Sequence, residues 1–264
     1  TLCAQSTGTN ALASGVYSDQ KLYSADDSKI FAHLVSTNSA VIDAEAVGLE
    51  VAQAYGMTAE ITADFKDNVD FKAIGAMDNT GRIHARASGN EKGWAVGMNL
   101  MIHEDMELAY EHTMTNSGTI AVLAEGDFTG AYGMASYVEG SGTGLVNIEN
   151  TGYIFASTGD GEESYPTGIA LFNTPETEID VTNSGFIHVI AEGDAGDAAG
   201  IYVSYGTGSI VNTGNMMIYG ADGAGIMIDD ADVRISNPGH IYAINGARTL
   251  QIGYEDIQAG AVLD

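Results

Sequence analysis

Three sets of residues have types and spacing that could do chemistry. The first is Asp229-Asp230, followed by His240. Two carboxylates beside an imidazole would suit glycoside hydrolysis if the carboxylates faced each other across a cleft, about 5 to 9.5 Å apart. No third acid stands in a neighbouring repeat and no Gly-His-Gly motif accompanies them, and the chain's arginines, Arg82, Arg86, Arg234 and Arg248, are too scattered to hold an acidic sugar at a cation site. Catalysis is therefore the alternative reading, as a polysaccharide hydrolase or lyase. The second set is Gly126-Asp127, Gly159-Asp160 and Gly193-Asp194, whose carboxylates could ligate Ca²⁺ from successive turns. Gly-Asp is also an ordinary turn pair, and the nonapeptide calcium repeat is missing, so no metal and no cofactor is expected.

The third set is aromatic. Tyr153, Phe155, Phe186, His188, Met217, Tyr219, His240 and Tyr242 recur two places apart within short segments and at equivalent places of successive segments. Alternation along a strand puts such residues on one face, opposite the core. A face meeting only water would be polar, so this one is expected either to dock a protein or a sugar or to be covered by a loop, a widened arm or a second copy of the chain.

What must position these groups is a repeat. Asn183-Ser184-Gly185-Phe186-Ile187 has full counterparts at Asn79, Asn116 and Asn150, variants at Asn212 and Asn237, and a degenerate copy at Asn38, with spacings of 41, 37, 34, 33, 29 and 25 residues. A second marker, Gly followed by an apolar residue, keeps step at Gly15, Gly56, Gly97, Gly133, Gly168, Gly200 and Gly225. Periods in this range mark a solenoid. Each repeat parses into three short strands: one after the Asn, one starting at the Gly marker and one leading to the next Asn. About 25 residues leave no room for a crossover helix, so the expected fold is all-β: a right-handed, three-faced, single-stranded parallel β-helix. Seven coils at the inter-strand spacing would rise roughly 35 Å.

The expected core columns are Ile83, Ile120, Ile154, Ile187, Met216 and Ile241, with the residues two places later and two before each Asn. The asparagines Asn79, Asn116, Asn150, Asn183, Asn212 and Asn237 are expected to form a ladder that satisfies the corners and fixes register. The Gly-to-Asn arm shortens along the chain, which predicts coils tapering toward the C-terminus by gradual narrowing. Residues 1–37 are expected to be a cap and first irregular coil, 38–248 the β-helix, and 249–264 a last partial coil or the start of a truncated segment, all in one domain.

Thirty-six acidic against nine basic residues give a net charge of -27, which repels nucleic acid and anionic lipid. Cys3 is the only cysteine and cannot form an internal disulfide. No apolar run of about 18 residues is present, so no membrane-spanning helix is expected.

The Asn-Ser/Thr-Gly-x-Ile motif followed by a Gly-Ile or Gly-Met strand resembles the β-helical passenger domains of Gram-negative autotransporters, the type V secretion family, over about Asn38 to Ile244. The resemblance implies an extracellular or cell-surface protein, outer membrane-associated through a C-terminal barrel outside this chain. It further implies an adhesin or virulence factor with a host-cell protein or glycan as partner; a structural stalk that self-associates through the aromatic strip is a further alternative.

Overall fold

The computed structural model describes residues 1–24, 30–65, 71–104, 109–140, 142–192, 197–252 and 262–263. Among them every regular element is a strand, and every strand pairing is parallel to the equivalent strand of the next coil. The chain is a parallel β-helix with three faces. The first face carries 41–47 and then Arg82–Ser88, Thr119–Glu125, Tyr153–Thr158, Phe186–Ala191, Asn215–Tyr219 and His240–Ile244. The second runs from 51–63 through Lys92–Glu104, Phe128–Glu139, Glu163–Phe172, Ala199–Val203 and Ala224–Ile228 to Arg248–Ile252. The third, from Ile30–Asn38 to Val262–Leu263, leads each coil to its Asn corner.

The solenoid begins at once. Leu2–Ser24 pairs along its length with 42–65, with one register shift between Gly8 and Asn10. At the other end Arg248–Ile252 still pairs on Ala224–Ile228.

Taper comes from strand length. Successive second-face strands from Lys92 onward have 13, 12, 10, 5, 5 and 5 residues, while the first-face strands fall only from 7 to 5. The early coils are therefore wider on one face: past the Gly the strand shortens as 9, 7, 6, 4, 3 and 3 residues from Gly56 to Gly225, the gradual narrowing that the spacings predict, while its start moves closer to the Gly between Glu163–Phe172 and Ala199–Val203. The second strand also does not start at its Gly: in the wide coils it begins five residues earlier.

Three inward columns fill the core. Ile83, Ile120, Ile154, Ile187 and Met216 are fully buried, as are Met114, Ile148, Val181 and Ile210 from the third face. Ile241, on the last first-face strand, is half-buried. At the Asn corner each Asn Nδ2 donates to the Oδ1 of the next, from Asn38 to Asn79, Asn116, Asn150, Asn183, Asn212 and Asn237, at 2.5 to 2.8 Å. Backbone N–H groups return to the same oxygens, as Gly81 to Asn79 Oδ1 at 3.2 Å. A buried amide is costly unless it is paired, and stacking identical amides one coil apart pairs each with its neighbours.

The Gly and Ile markers are one contact. A Cβ on Gly56, Gly97, Gly133 or Gly168 would lie 2.2 to 2.4 Å from Cγ2 of Ile83, Ile120, Ile154 or Ile187 in the next coil. The β-branch of one column fills the space that the missing side chain leaves in the other, which is why the two motifs keep step.

Candidate functional site

The first-face aromatics share one outward surface. Tyr153, Tyr219 and Tyr242 are 37%, 40% and 51% exposed, and Phe155, Phe186, His188 and Met217 are half-buried beside them. Tyr153 and Phe186 stack at 5.6 Å and 20°, Phe155 meets His188 edge-on at 5.3 Å, and His240 lies 6.0 Å from Tyr242. Partial burial holds the His188 imidazole below its usual pKa. Within the chain these rings cover one another, while the strip as a whole stays open to solvent.

The carboxylate pair is placed differently. Asp229 and Asp230 form the corner between the second and third faces, Asp230 with φ 50°, and Asp229 N–H donates to Val203 O at 2.8 Å. His240 opens a first-face strand, with all of Ala231–Ser236 and the Asn237 corner between. That strand alone spans roughly 16 to 20 Å. The imidazole and the carboxylates that sit close in sequence therefore stand at opposite ends of a face and do not form one catalytic constellation. Asp127 and Asp160 are exposed at the corner from first to second face; Asp194 lies outside the described residues. Among the described residues no three His, Cys, Asp or Glu side chains converge to hold a metal ion.

Sequence reasoning placed a strand on the second face but missed its outward groove. The strands of this face lose alternation at the Gly column: the Gly is skipped in the pairing register, with Val96 opposite Tyr132 and Met98 opposite Met134 on either side of it. The chain bends there. Residues one place before and two places after the Gly, which strict alternation would separate, consequently face the same way, outward. The result is a groove parallel to the solenoid axis, floored by small buried residues such as Ala135 and Ala170 and walled by rings.

Two adjoining cavities of about 320 and 280 Å³ occupy it. Every residue lining them stands three or one places before the Gly of its coil, or two, four or six after. The first is lined by Trp94, Tyr132, Tyr165, Phe172, Tyr202 and Met227, with Thr167 and Asp197, and is open to solvent on one side. Ring centroids run 5.1 Å from Trp94 to Tyr132, 5.8 Å from Tyr132 to Phe172 and 5.4 Å from Phe172 to Tyr202, at interplanar angles of 53°, 89° and 48°. Gly130 is the seat of the indole: a Cβ there would be 2.7 Å from the Trp94 ring.

Polar groups stand at the edges. Tyr165 Oη donates to Glu163 Oε2 at 3.0 Å, and burial with this bond raises the Tyr165 pKa. Burial first, then Asp229, push the Tyr202 hydroxyl up to about 12. At the wide end His103 sits between Glu139, 2.8 Å from Nδ1, and Glu60, 3.8 Å from Nε2. The signal for this groove was present in the sequence: counted from the Gly marker, the aromatic residues fall in a few columns. A strand that starts at the Gly hides it, because half of these columns lie before the Gly.

No protein-family model, no curated protein and no solved structure matches the chain.

Proposed function

We propose that the chain is the binding shaft of a protein displayed on or released from a bacterial surface, a passenger of the autotransporter type that acts by adhesion rather than catalysis. The aromatic groove of the second face carries this reading. A concave, mostly apolar cleft of a few hundred Å³ with a few polar groups at its rim is the usual form of a ligand site. Tyr132 is buried, Phe172 and Tyr202 half-buried and Trp94 and Tyr165 exposed, so these rings form an outward apolar surface that the core, already filled from inside, does not require. The acidic surface fits a long sheet-rich solenoid that must stay dispersed outside the cell. The separation of Asp229-Asp230 from His240 removes the arrangement on which the hydrolase alternative leaned. The partner is a host-cell protein or glycan, docked along the axis over several coils.

The test is binding of labelled chain to host-cell surfaces and to immobilised glycans. A Trp94→Ala/Phe172→Ala variant should lose at least about tenfold in affinity, as anchoring aromatics in contact surfaces do. A Phe155→Ser/Phe186→Ser/Tyr242→Ser variant, altered only on the first face, should bind like the wild type. The opposite pattern would move the site to the first face, and cleavage of a polysaccharide by the wild type would overturn the non-enzymatic reading.

A further inference from the structure

We infer that the larger groove cavity takes an organic cation, an alkylated ammonium group of the choline type, held by ring faces and by the carboxylates around it. The inference rests on the groove being the binding site and specifies what it binds. Three observations favour a cationic group carried by the docked partner over a neutral or anionic one.

The first is ring orientation. The tilts between Trp94, Tyr132, Phe172 and Tyr202, from 48° to 89°, turn the rings in different directions around one cavity. A flat pair such as Tyr153 and Phe186, at 20°, offers a platform on which a sugar or base could stack. Rings set at these angles offer no such platform, and the negative face of any ring lining the cavity attracts a cation.

The second is charge. Asp197 lines the cavity, Glu163 holds the Tyr165 hydroxyl at its rim, and Asp229 and Asp230 stand close enough to act on Tyr202. Among the described residues no Lys or Arg lines either cavity; Lys92 and Arg248 occupy nearby register positions but line neither. With a net charge of -27 the whole molecule draws cations toward the groove and repels anions. The third is size. An open cleft of about 320 Å³ lined by rings is ample for a trimethylammonium head with a short tail.

The chain has a single tryptophan, Trp94, which lines both cavities, so intrinsic tryptophan emission reports on the groove, and Tyr202 and Asp197, which line only the larger cavity, tell the two apart. The experiment titrates the chain with choline chloride, with sodium chloride at matched concentration, and with 3,3-dimethylbutan-1-ol, the uncharged analogue of the same shape. Choline should change Trp94 emission saturably, with an apparent affinity about tenfold or more above that of the alcohol. Asp197→Asn should weaken choline several-fold and leave the alcohol unchanged, and Tyr202→Leu should weaken choline most, with circular dichroism as for the wild type.

Equal response to choline and the alcohol would overturn the inference, leaving an apolar pocket and the groove reading intact. A response to choline no greater than to sodium chloride would also overturn it. In that case the Trp94→Ala/Phe172→Ala binding assay decides the wider reading: if that variant still binds cells and glycans, the groove is not the site at all.

Discussion

His112 shows what one side chain does inside this stack. It points into the core from the third face, fully buried, 5.6 Å from the Tyr110 ring, with Nδ1 2.8 Å from Ser136 Oγ and no partner for Nε2. Charging it there would strand a cation away from water, so burial lowers its pKa from 6.5 to about 3. The sign follows from linkage. Above pH 6.5 the residue is neutral folded and unfolded and contributes no pH dependence; below it the unfolded chain takes up a proton that the folded chain refuses, so stability falls until about pH 3. Each pH unit in that window costs up to about 1.4 kcal/mol. The stability gap between wild type and His112→Leu, from urea denaturation, should therefore shift by about 2 kcal/mol against the wild type between pH 7 and pH 5. Comparing the two proteins cancels the titration of the many carboxylates. A constant gap would mean that the imidazole reaches water.

At the scale of the strand, the Gly column does two jobs from one omission. It admits the Ile Cγ2 of the next coil, and it is the bend that opens the groove on the outer side. Gly133→Ala would press a Cβ to 2.3 Å from Ile154 Cγ2 and 2.5 Å from the Gly168 carbonyl oxygen, and backbone cannot turn away. Overpacking of this kind costs about 1 to 3 kcal/mol, so Gly133→Ala should lie at or above the upper end and lower the thermal midpoint clearly. Gly159→Ala is the control: the nearest atom is 3.7 Å off, so the change should fall within about 0.5 kcal/mol. Equal effects at the two positions would refute the packing account. The Asn ladder belongs to this scale too, because its hydrogen bonds join coils and thereby hold the register on which the columns depend.

Over the whole molecule, cohesion runs along the axis and charge opposes it. The ion pairs Lys72 with Glu111 and Arg86 with Glu125 are solvent-exposed, and such pairs contribute little. With few bases to offset the acids, self-repulsion is screened mainly by salt. The melting temperature should rise as sodium chloride goes from low to physiological concentration, and calcium chloride at equal ionic strength should add little further. A saturable rise at micromolar calcium would instead assign Asp127 and Asp160 to a cation site. The groove runs from the long second-face strands of the early coils onto the short ones that carry Tyr202 and Met227, so ligand contact extends over coils of both widths.

The sequence by itself determined the architecture, because a β-helix converts a linear repeat into columns: once Asn38 through Asn237 are aligned, the inward Ile column and the ladder follow by counting. It also determined the first-face strip, since alternation holds within those short strands. Only the tertiary structure decided the rest. Asp230 and His240 are ten positions apart yet separated by a face, because a strand carries the chain away from its corner. The groove gathers Trp94, Tyr132, Phe172 and Tyr202 from four coils, and it does so through a bend at each Gly that breaks the very periodicity by which a strand is read.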